Sequence, residues 1–146
     1  MPRFQMLLLP NDHVDLPQPG MLTPKSYVAQ NDQALGMIVE GITHSGFWAS
    51  TAIFVVEETA WGGWDHVNAH RAAALVVSPY ARRKSVDSTA YSTCSVLRTI
   101  ELILGLPPMS QYDAAAKPMF GSFVDQADLA PYTLRPPKVS ITDLNP

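Results

Sequence analysis

An apolar run of mostly branched and aromatic residues, from Thr51 to Val56, most constrains the fold, because it changes abruptly into a polar segment. Such a run predicts a buried strand. The polar segment that follows, from Glu57 to Arg71, contains two carboxylates, a glycine pair, an Asp-His pair and a further histidine. In open α/β sheets, loops at the carboxyl ends of strands commonly carry the functional groups. The sequence therefore predicts a functional site directly after this strand.

Two other apolar runs predict strands. Phe4–Leu9, which a proline ends, predicts a short buried strand, and Ala72–Ser78 predicts another. The order of strands and helices along the chain indicates an α/β fold with a small, mostly parallel sheet flanked by helices. A sheet of three strands keeps an exposed edge, and this edge favours pairing with another copy of the chain or with a different chain. The sequence thus predicts a homo-oligomer.

Two helices are predicted with defined ends. The first begins at Thr23, a capping hydroxyl followed by Pro24 at the first helical position, and runs to about Ser45. The second begins at Ser92–Thr93 and stops at Gly105. Its inward-facing residues are predicted to be Val96, Leu97, Ile100, Ile103 and Leu104.

The composition limits the class of protein. The chain has 146 residues, 47% of them apolar and 16% charged, which fits one globular domain spanning 1–146. A net charge of -3 with scattered Lys and Arg gives no reason to propose a nucleic-acid partner. No apolar run has the length of a membrane span, and the first residues lack the features of a signal peptide. The sequence does not assign the protein to a compartment, and without a signal peptide the chain as it stands is expected in the cytoplasm.

The polar segment has side chains of the kind that bind metals. Carboxylate oxygens from Glu58 and Asp65, together with imidazole nitrogens from His66 and His70, suit zinc, manganese or iron. Calcium and magnesium prefer sites made of oxygen alone. The alternative is a polar loop of capping carboxylates and surface histidines. On the residues alone, the site interpretation is favoured.

A second pair of candidate ligands, Asp12 and His13, follows the first predicted strand. If the first two strands are parallel, both strand-end loops open on one sheet edge, which would bring this pair towards Glu58 and His66. The alternative is turn chemistry, for which Asn-Asp sequences are common.

Two tryptophans, Trp61 and Trp64, flank the glycine pair. They either form the wall of a substrate pocket or cover an exposed sheet edge, and both interpretations stay open. Ser78, Ser92 and Ser95 are possible nucleophiles by residue type, but the chain has no G-x-S-x-G elbow. Capping or core-edge roles are predicted for these three serines.

Several segments, in this order along the chain, resemble one family. They are Leu9–His13, Asn31–Gly36, Thr51–Glu58, Asp65–Val67, Ala69–Arg71, Ala74–Tyr80 and Tyr91–Pro108. In these segments the chain is similar to the phosphoesterases that include bacterial non-haemolytic phospholipases C and a class of acid phosphatases, within the alkaline phosphatase superfamily. The similarity runs from about Leu7 to Pro137 and corresponds to the carboxyl-terminal part of a typical member and of its alkaline phosphatase-like fold.

The resemblance implies a metal-dependent hydrolase of a small phosphate monoester or diester. In such enzymes a divalent metal neutralises the phosphate and activates a nucleophile, while histidines protonate the leaving group or contact phosphoryl oxygens. The residues implied as metal ligands are Asp12, His13, Glu58 and Asp65. The residues implied as catalytic are His66 and His70. Trp61 and Trp64 are candidate substrate-binding residues from their position beside the glycine pair, not from the resemblance.

The chain departs from the family pattern in two ways. Thr59 stands where the family usually has a second acidic residue, which removes one anionic ligand. The amino-terminal half of the family, with its hydroxyl nucleophile, has no counterpart in this sequence. The leading hypothesis is therefore a shortened phosphoesterase that self-associates. The alternatives are a non-catalytic oligomerising remnant and a carboxylic ester hydrolase that uses the histidine-rich pocket without metal.

Overall fold

The fold contains three α-helices and one small sheet within the residues that the computed structural model describes, 2–11, 17–58 and 71–146. The elements are α1 (Pro24–Thr43), β1 (Ile53–Val56), β2 (Ala74–Val77), α2 (Thr93–Leu104) and α3 (Gln111–Ala115). Short 3-10 helices occur at Trp48–Ser50 and Phe120–Ser122. By its contacts, the chain divides into two compact units, Met1–Trp48 with Leu129–Pro146, and Ala49–Asp128.

The ends of α1, the main element of the first unit, follow from its capping residues. The Thr23 hydroxyl accepts the backbone N–H of Ser26 at 3.2 Å, and Pro24 lies in the first turn, where its missing N–H costs no helical hydrogen bond. His44 is the C-cap residue, and its backbone N–H donates to the carbonyl of Glu40 at 3.1 Å. The predicted start of this helix is confirmed, and its end lies close to the predicted position.

The last residues of the chain lie along α1. The side chain of Ser26 is fully buried, donates to the carbonyl of Ser140 at 3.0 Å and accepts the backbone N–H of Asp143 at 3.1 Å. One helical turn further, the Gln30 amide donates to the carbonyl of Ile141 at 2.8 Å. These contacts hold the carboxyl-terminal segment against the first half of α1.

A tryptophan forms the core of the first unit beyond α1. Trp48 is 4% exposed, and its ring meets that of Tyr132 edge-on, with 6.2 Å between the ring centroids. Its indole N–H donates to the carbonyl of Leu129 at 3.2 Å, which satisfies the polar atom of a buried aromatic residue. Glu40 accepts the backbone N–H of Leu134 at 3.0 Å. The second half of α1 is thus joined to the returning chain as well.

The predicted strand at Phe4–Leu9 is wrong. These residues form no strand, and Leu8 is 74% exposed and Met6 84% exposed. An apolar run becomes a strand only where another strand supplies hydrogen bonds, and the described residues supply none to this segment. The apolar pattern of this segment is typical of a strand, but among the described residues no strand pairs with it.

The sheet of the described residues consists of β1 and β2, which pair antiparallel with Ile53 opposite Val77 and Val56 opposite Ala74. The mixed α/β class is confirmed, but the mostly parallel sheet is wrong for these two strands. The parallel prediction assumed strands buried on both faces. No residue of either strand is buried, and Leu75 is 54% exposed. Apolar character alone does not fix strand direction.

One face of this sheet packs against a returning segment of the second unit. The rings of Phe54 and Phe123 lie 6.2 Å apart between centroids, and the backbone N–H of Val124 donates to the carbonyl of Tyr80 at 2.8 Å.

None of the helices in the described part of the chain combines the length and apolar character that a membrane crossing requires.

The end of α2 was predicted correctly, but its inward face only in part. Gly105 caps the helix in the left-handed conformation, at φ 70°. Of the predicted inward residues, Ile103 is 53% exposed and the other four are half-buried. The buried residues of α2 are Ser95, Thr99 and Glu101. Their polar atoms have partners: the Thr99 hydroxyl donates to the carbonyl of Ser95 at 2.7 Å and accepts the N–H of Met119 at 2.9 Å.

Candidate functional site

The two ends of the predicted site segment meet at one end of the sheet. Val56, the last residue of β1, lies opposite Ala74, the first residue of β2. Glu57 and Ala73 follow directly beyond that pair. The polar segment therefore leaves the sheet and returns to it at the same place, a relationship that only the antiparallel pairing creates.

Two hydrogen bonds join Glu57 to Ala73. The backbone N–H of Glu57 donates to the carbonyl of Ala73 at 3.2 Å, and the N–H of Ala73 donates to the Glu57 carboxylate at 3.2 Å. A regular antiparallel pair would use the backbone carbonyl for this second bond. The carboxylate of Glu57 thus serves the sheet, whereas Glu58 is an exposed side chain just past the strand end.

Glu58 is the predicted site residue that the structure describes. The other predicted site residues lie outside the described residues: Asp12, His13, Trp61, Trp64, Asp65, His66 and His70. Thr59, the position of the family departure, lies outside them too. Within 2–11, 17–58 and 71–146, no group of three His, Cys, Asp or Glu side chains is placed to hold a metal ion. The metal site and its residues stay predictions.

The residue before the Asp12-His13 pair is attached to α1. The side-chain amide of Asn11 donates to Gln30 Oε1 at 2.6 Å, and the side chain of Asn31 donates to the carbonyl of Asn11 at 2.6 Å. The expected approach of Asp12 to the strand-end site assumed a parallel strand at Phe4–Leu9. Because that strand does not form, this reason no longer applies, and the approach itself remains a prediction.

A carboxylate that the sequence analysis missed, Asp87, accepts several hydrogen bonds. The backbone N–H of Thr89 donates to it at 3.0 Å, and the hydroxyls of Tyr91 and Ser122 donate at 3.1 Å each. The Thr89 amide, followed by the Thr89 hydroxyl and the two other hydroxyls, lowers the pKa of Asp87 from 3.8 to about 2, although burial opposes this. Burial raises the pKa of Tyr91 above its ordinary value.

A polar cavity of about 450 Å³ lies beside this carboxylate. Arg82 lines it, and the Arg82 Nε–H donates to the carbonyl of Gly121 at 3.3 Å. An ionised Asp87 repels anions such as phosphate, and its four donors satisfy it, so the arrangement favours a structural role. The sequence signal for it was an Asx turn, an aspartate followed two residues later by the amide that it binds.

A second missed cluster joins α2 to α3. The backbone N–H of Met109 lies 3.3 Å from Glu101 Oε1 and 2.7 Å from Asp113 Oδ2, and Arg98 pairs with Glu101 at 3.2 Å. Glu101 is 3% exposed and Asp113 is 1% exposed. The hydroxyl of Ser110 donates to Asp113 and is the main reason that the pKa of this aspartate lies well below its usual range. The Ser110-x-x-Asp113 spacing resembles a capping box and was the available sequence signal.

The serines that were considered as nucleophiles have local structural contacts. Ser78 Oγ accepts the backbone N–H of Tyr80 at 3.2 Å, and Ser95 Oγ accepts that of Ser92, the N-cap of α2, at 3.2 Å. Both contacts belong to turn or helix-end geometry. The predicted capping and core-edge roles fit these contacts.

Comparison with known families identifies the class. The sequence profile described as the Phosphoesterase family matches residues 23–107, from the N-cap of α1 to just beyond the end of α2. This range contains all of the segment from Glu57 to Arg71 and begins after Asp12 and His13. The chain belongs to the Phosphoesterase family, whose members are, as a family, phosphoric ester hydrolases. A search of curated proteins found no match.

Proposed function

We propose that this chain is a metal-dependent phosphoric ester hydrolase that cleaves a monoester or a diester in a site to which the segment from Glu57 to Arg71 contributes most of the residues. The observation that carries the proposal is the family match, which covers this whole segment. The closure of the segment by Glu57 and Ala73 supports it, since a loop with joined ends can hold several ligands near one point.

The proposed site has donors of two kinds. Carboxylates and an imidazole would hold zinc, manganese or iron, and the proposed ligands are Asp12, His13, Glu58 and Asp65. The described member of this set, Glu58, is an exposed residue two positions past the end of β1. When bound, a divalent metal supplies charge neutralisation for the phosphoryl group and activation of a nucleophile.

The remaining residues have proposed roles in binding and proton transfer. His66 and His70 would contact phosphoryl oxygens and protonate the leaving oxygen, a role that suits imidazole because it can exchange a proton close to neutral pH. Trp61 and Trp64 would form the apolar wall that orients the substrate and keeps water away from it. The roles of the two histidines follow the family resemblance, whereas the role of the two tryptophans follows from their position beside the glycine pair.

We also propose that the protein forms a homo-oligomer through its sheet. Within the described residues the sheet has two strands, so each strand has one edge without a strand partner. Leu75 is 54% exposed and Val56 is 44% exposed on these strands. Pairing with a second copy would supply strand partners and cover apolar side chains. A single monomeric species in light scattering would contradict this oligomer.

The test is hydrolysis of p-nitrophenyl phosphate and bis-p-nitrophenyl phosphate by the purified protein, with chelator and then with added manganese or zinc. Glu58→Gln is compared with Glu57→Gln, a matched control that removes one neighbouring carboxylate but keeps an oxygen for the Ala73 N–H. We expect turnover that needs metal, falls at least about tenfold in Glu58→Gln and changes little in Glu57→Gln.

Other outcomes separate the alternatives. Equal losses in both variants would contradict the ligand role of Glu58. Turnover of p-nitrophenyl acetate that resists chelator, with no phosphate ester cleaved, would indicate a carboxylic ester hydrolase. A folded protein that cleaves neither ester with any metal would indicate a non-catalytic remnant.

A further inference from the structure

A groove of about 780 Å³ runs between α1 and the carboxyl-terminal segment, within the first compact unit. Its volume lies inside the range of small-molecule sites, about 300–1,000 Å³. Most of its lining residues are apolar, namely Pro24, Val28, Ala29, Pro136, Pro137 and Val139. The groove belongs to neither the proposed catalytic segment nor the Asp87 cavity.

Hydrogen bonds hold the two walls of the groove at both ends. Before the lining residues 135–139, Glu40 accepts the backbone N–H of Leu134 at 3.0 Å. After them, the buried Ser26 donates to the carbonyl of Ser140 at 3.0 Å, and Gln30 donates to that of Ile141 at 2.8 Å. Two consecutive prolines between these attachments further restrict the backbone. The groove is therefore preformed, which reduces the entropic cost of filling it.

The charge of the groove is opposite to that of the whole chain. Its charged lining residues are Lys25, Arg135, Lys138 and Asp32, three cations and one anion, a net charge of +2. The chain as a whole has a net charge of -3. No ion pair among the described residues involves these three cations. All three side chains are exposed, and Lys25 lies in the first turn of α1, where the helix dipole is also positive.

We infer that this groove binds a single-chain anionic amphiphile. Its alkyl chain would lie along the six apolar lining residues, here called the apolar floor, and its anionic head group would lie beside Lys25, Arg135 and Lys138, here called the cationic rim. An alkyl chain would remove the apolar surface of the floor from water, which contributes favourable free energy to binding. The three cations select a negative head group over a neutral one. A simple anion would leave the floor uncovered, and a neutral amphiphile would leave the cations without a partner.

Isothermal titration with octanoate, octanol and acetate tests this inference on the full chain. Octanoate has both the chain and the charge, octanol lacks the charge, and acetate lacks the chain. We expect one octanoate per chain, with tighter binding than either of the other two compounds. Binding of octanol as tight as that of octanoate, or no octanoate binding, would overturn the inference.

Charge variants locate the binding. Arg135→Gln with Lys138→Gln should weaken octanoate binding about fivefold, the effect of losing two exposed charge contacts. Arg3→Gln with Lys117→Gln changes the net charge equally outside the groove and should leave binding unchanged. Equal losses in the two double variants would contradict a site in the groove.

A further variant and the catalytic test keep the two proposals separate. Val28→Glu places a carboxylate on the groove floor at a 53% exposed position and should abolish octanoate binding without unfolding the helix. Glu58→Gln should bind octanoate like the original protein, whatever its hydrolytic activity. Loss of octanoate binding in Glu58→Gln would place the amphiphile in the proposed catalytic site and overturn the groove.

Discussion

Gly36 of α1 lies against the side chain of Leu134: a Cβ added to Gly36 would come within 2.5 Å of Leu134 Cδ1. Leu134 is the residue that Glu40 binds through its backbone, so this close approach occurs where the returning chain is attached to the helix. Gly41, in the same helix, has no atom within 4 Å of the corresponding position. The two glycines therefore separate the effect of packing from that of helix propensity.

Gly41→Ala should stabilise the protein by about 0.5–1 kcal/mol, because alanine loses less conformational freedom in a helix than glycine. Gly36→Ala should gain less than Gly41→Ala, since the tip of Leu134 must move to make room. Urea unfolding of both variants measures the difference. An equal gain at both positions would show that Leu134 moves without cost.

Gly105→Ala should destabilise the protein by about 1 kcal/mol. Gly105 has φ 70°, and no atom lies within 4 Å of an added Cβ, so the cost arises from the left-handed backbone alone. The measurement is the midpoint of urea unfolding, with Gly105→Asn as the control, because asparagine tolerates this conformation better than alanine. A neutral Gly105→Ala would mean that the helix end frays without affecting the rest of the unit.

Acid should weaken the second unit through Asp87. The pKa of Asp87 is lowered from 3.8 to about 2, so the ionised form stabilises the folded state fully above about 3.8. This stabilisation is lost as the pH falls from that value through about 2. Asp87→Asn should therefore be less stable at pH 6 and show a smaller further loss between pH 4 and pH 2. Thermal unfolding at several pH values measures this, with the exposed Asp125→Asn as the control. Identical pH profiles for the two variants would contradict the role of Asp87.

Asp113→Asn should lower the unfolding temperature more than Ser110→Ala does. Asp113 is 1% exposed and accepts bonds from both Ser110 and the Met109 backbone. Ser110→Ala removes one of these donors and the exposed N-cap bond from the Tyr112 N–H, but it leaves no buried polar group unpaired except one oxygen of Asp113. The lowered pKa of Asp113 means that its contribution is present above the ordinary aspartate pKa and is lost as the pH falls below it. Thermal unfolding at neutral and acid pH measures both effects. A larger loss in Ser110→Ala would show that the hydroxyl, not the carboxylate, is the main stabiliser of the start of α3.

Glu57→Ala should reduce both stability and hydrolysis. The variant leaves the backbone N–H of Ala73 without its carboxylate partner, at a cost of about 1 kcal/mol at this exposed end of the sheet. The segment that carries the proposed site would then lose one of its two closing bonds. Urea unfolding and the rate with p-nitrophenyl phosphate measure the two effects. Glu57→Gln should restore both, and failure of this rescue would indicate that the charge of Glu57 matters rather than its oxygen.

Local signals predicted the helices well. The hydroxyl of Thr23 and the following proline set the start of α1, and the left-handed Gly105 sets the end of α2. Such caps act through bonds between residues close in sequence, so a sequence contains nearly all the information on them. The family resemblance was also readable from short motifs, and the match over residues 23–107 confirms it.

Contacts between distant residues were not readable in the same way. Phe4–Leu9 has the pattern of a strand and stays exposed, and the α2 positions with the most buried side chains are polar. Burial of Glu101 depends on the Met109 amide eight residues later, and burial of Ser26 on Ser140 at the far end of the chain. The periodicity of a sequence shows which side chains are apolar, but it does not show which distant residues will contact them.

The sequence by itself determined the start of α1, the end of α2 and the phosphoesterase family, and it predicts a site in the segment from Glu57 to Arg71. Only the tertiary structure decided that β1 and β2 run antiparallel, that Glu57 and Ala73 close this segment, and that the carboxyl-terminal residues form a cationic groove on α1. The physical reason is the range of the interactions. Caps and motifs depend on neighbours a few residues apart, whereas register, burial and grooves depend on which distant backbone donors and acceptors meet.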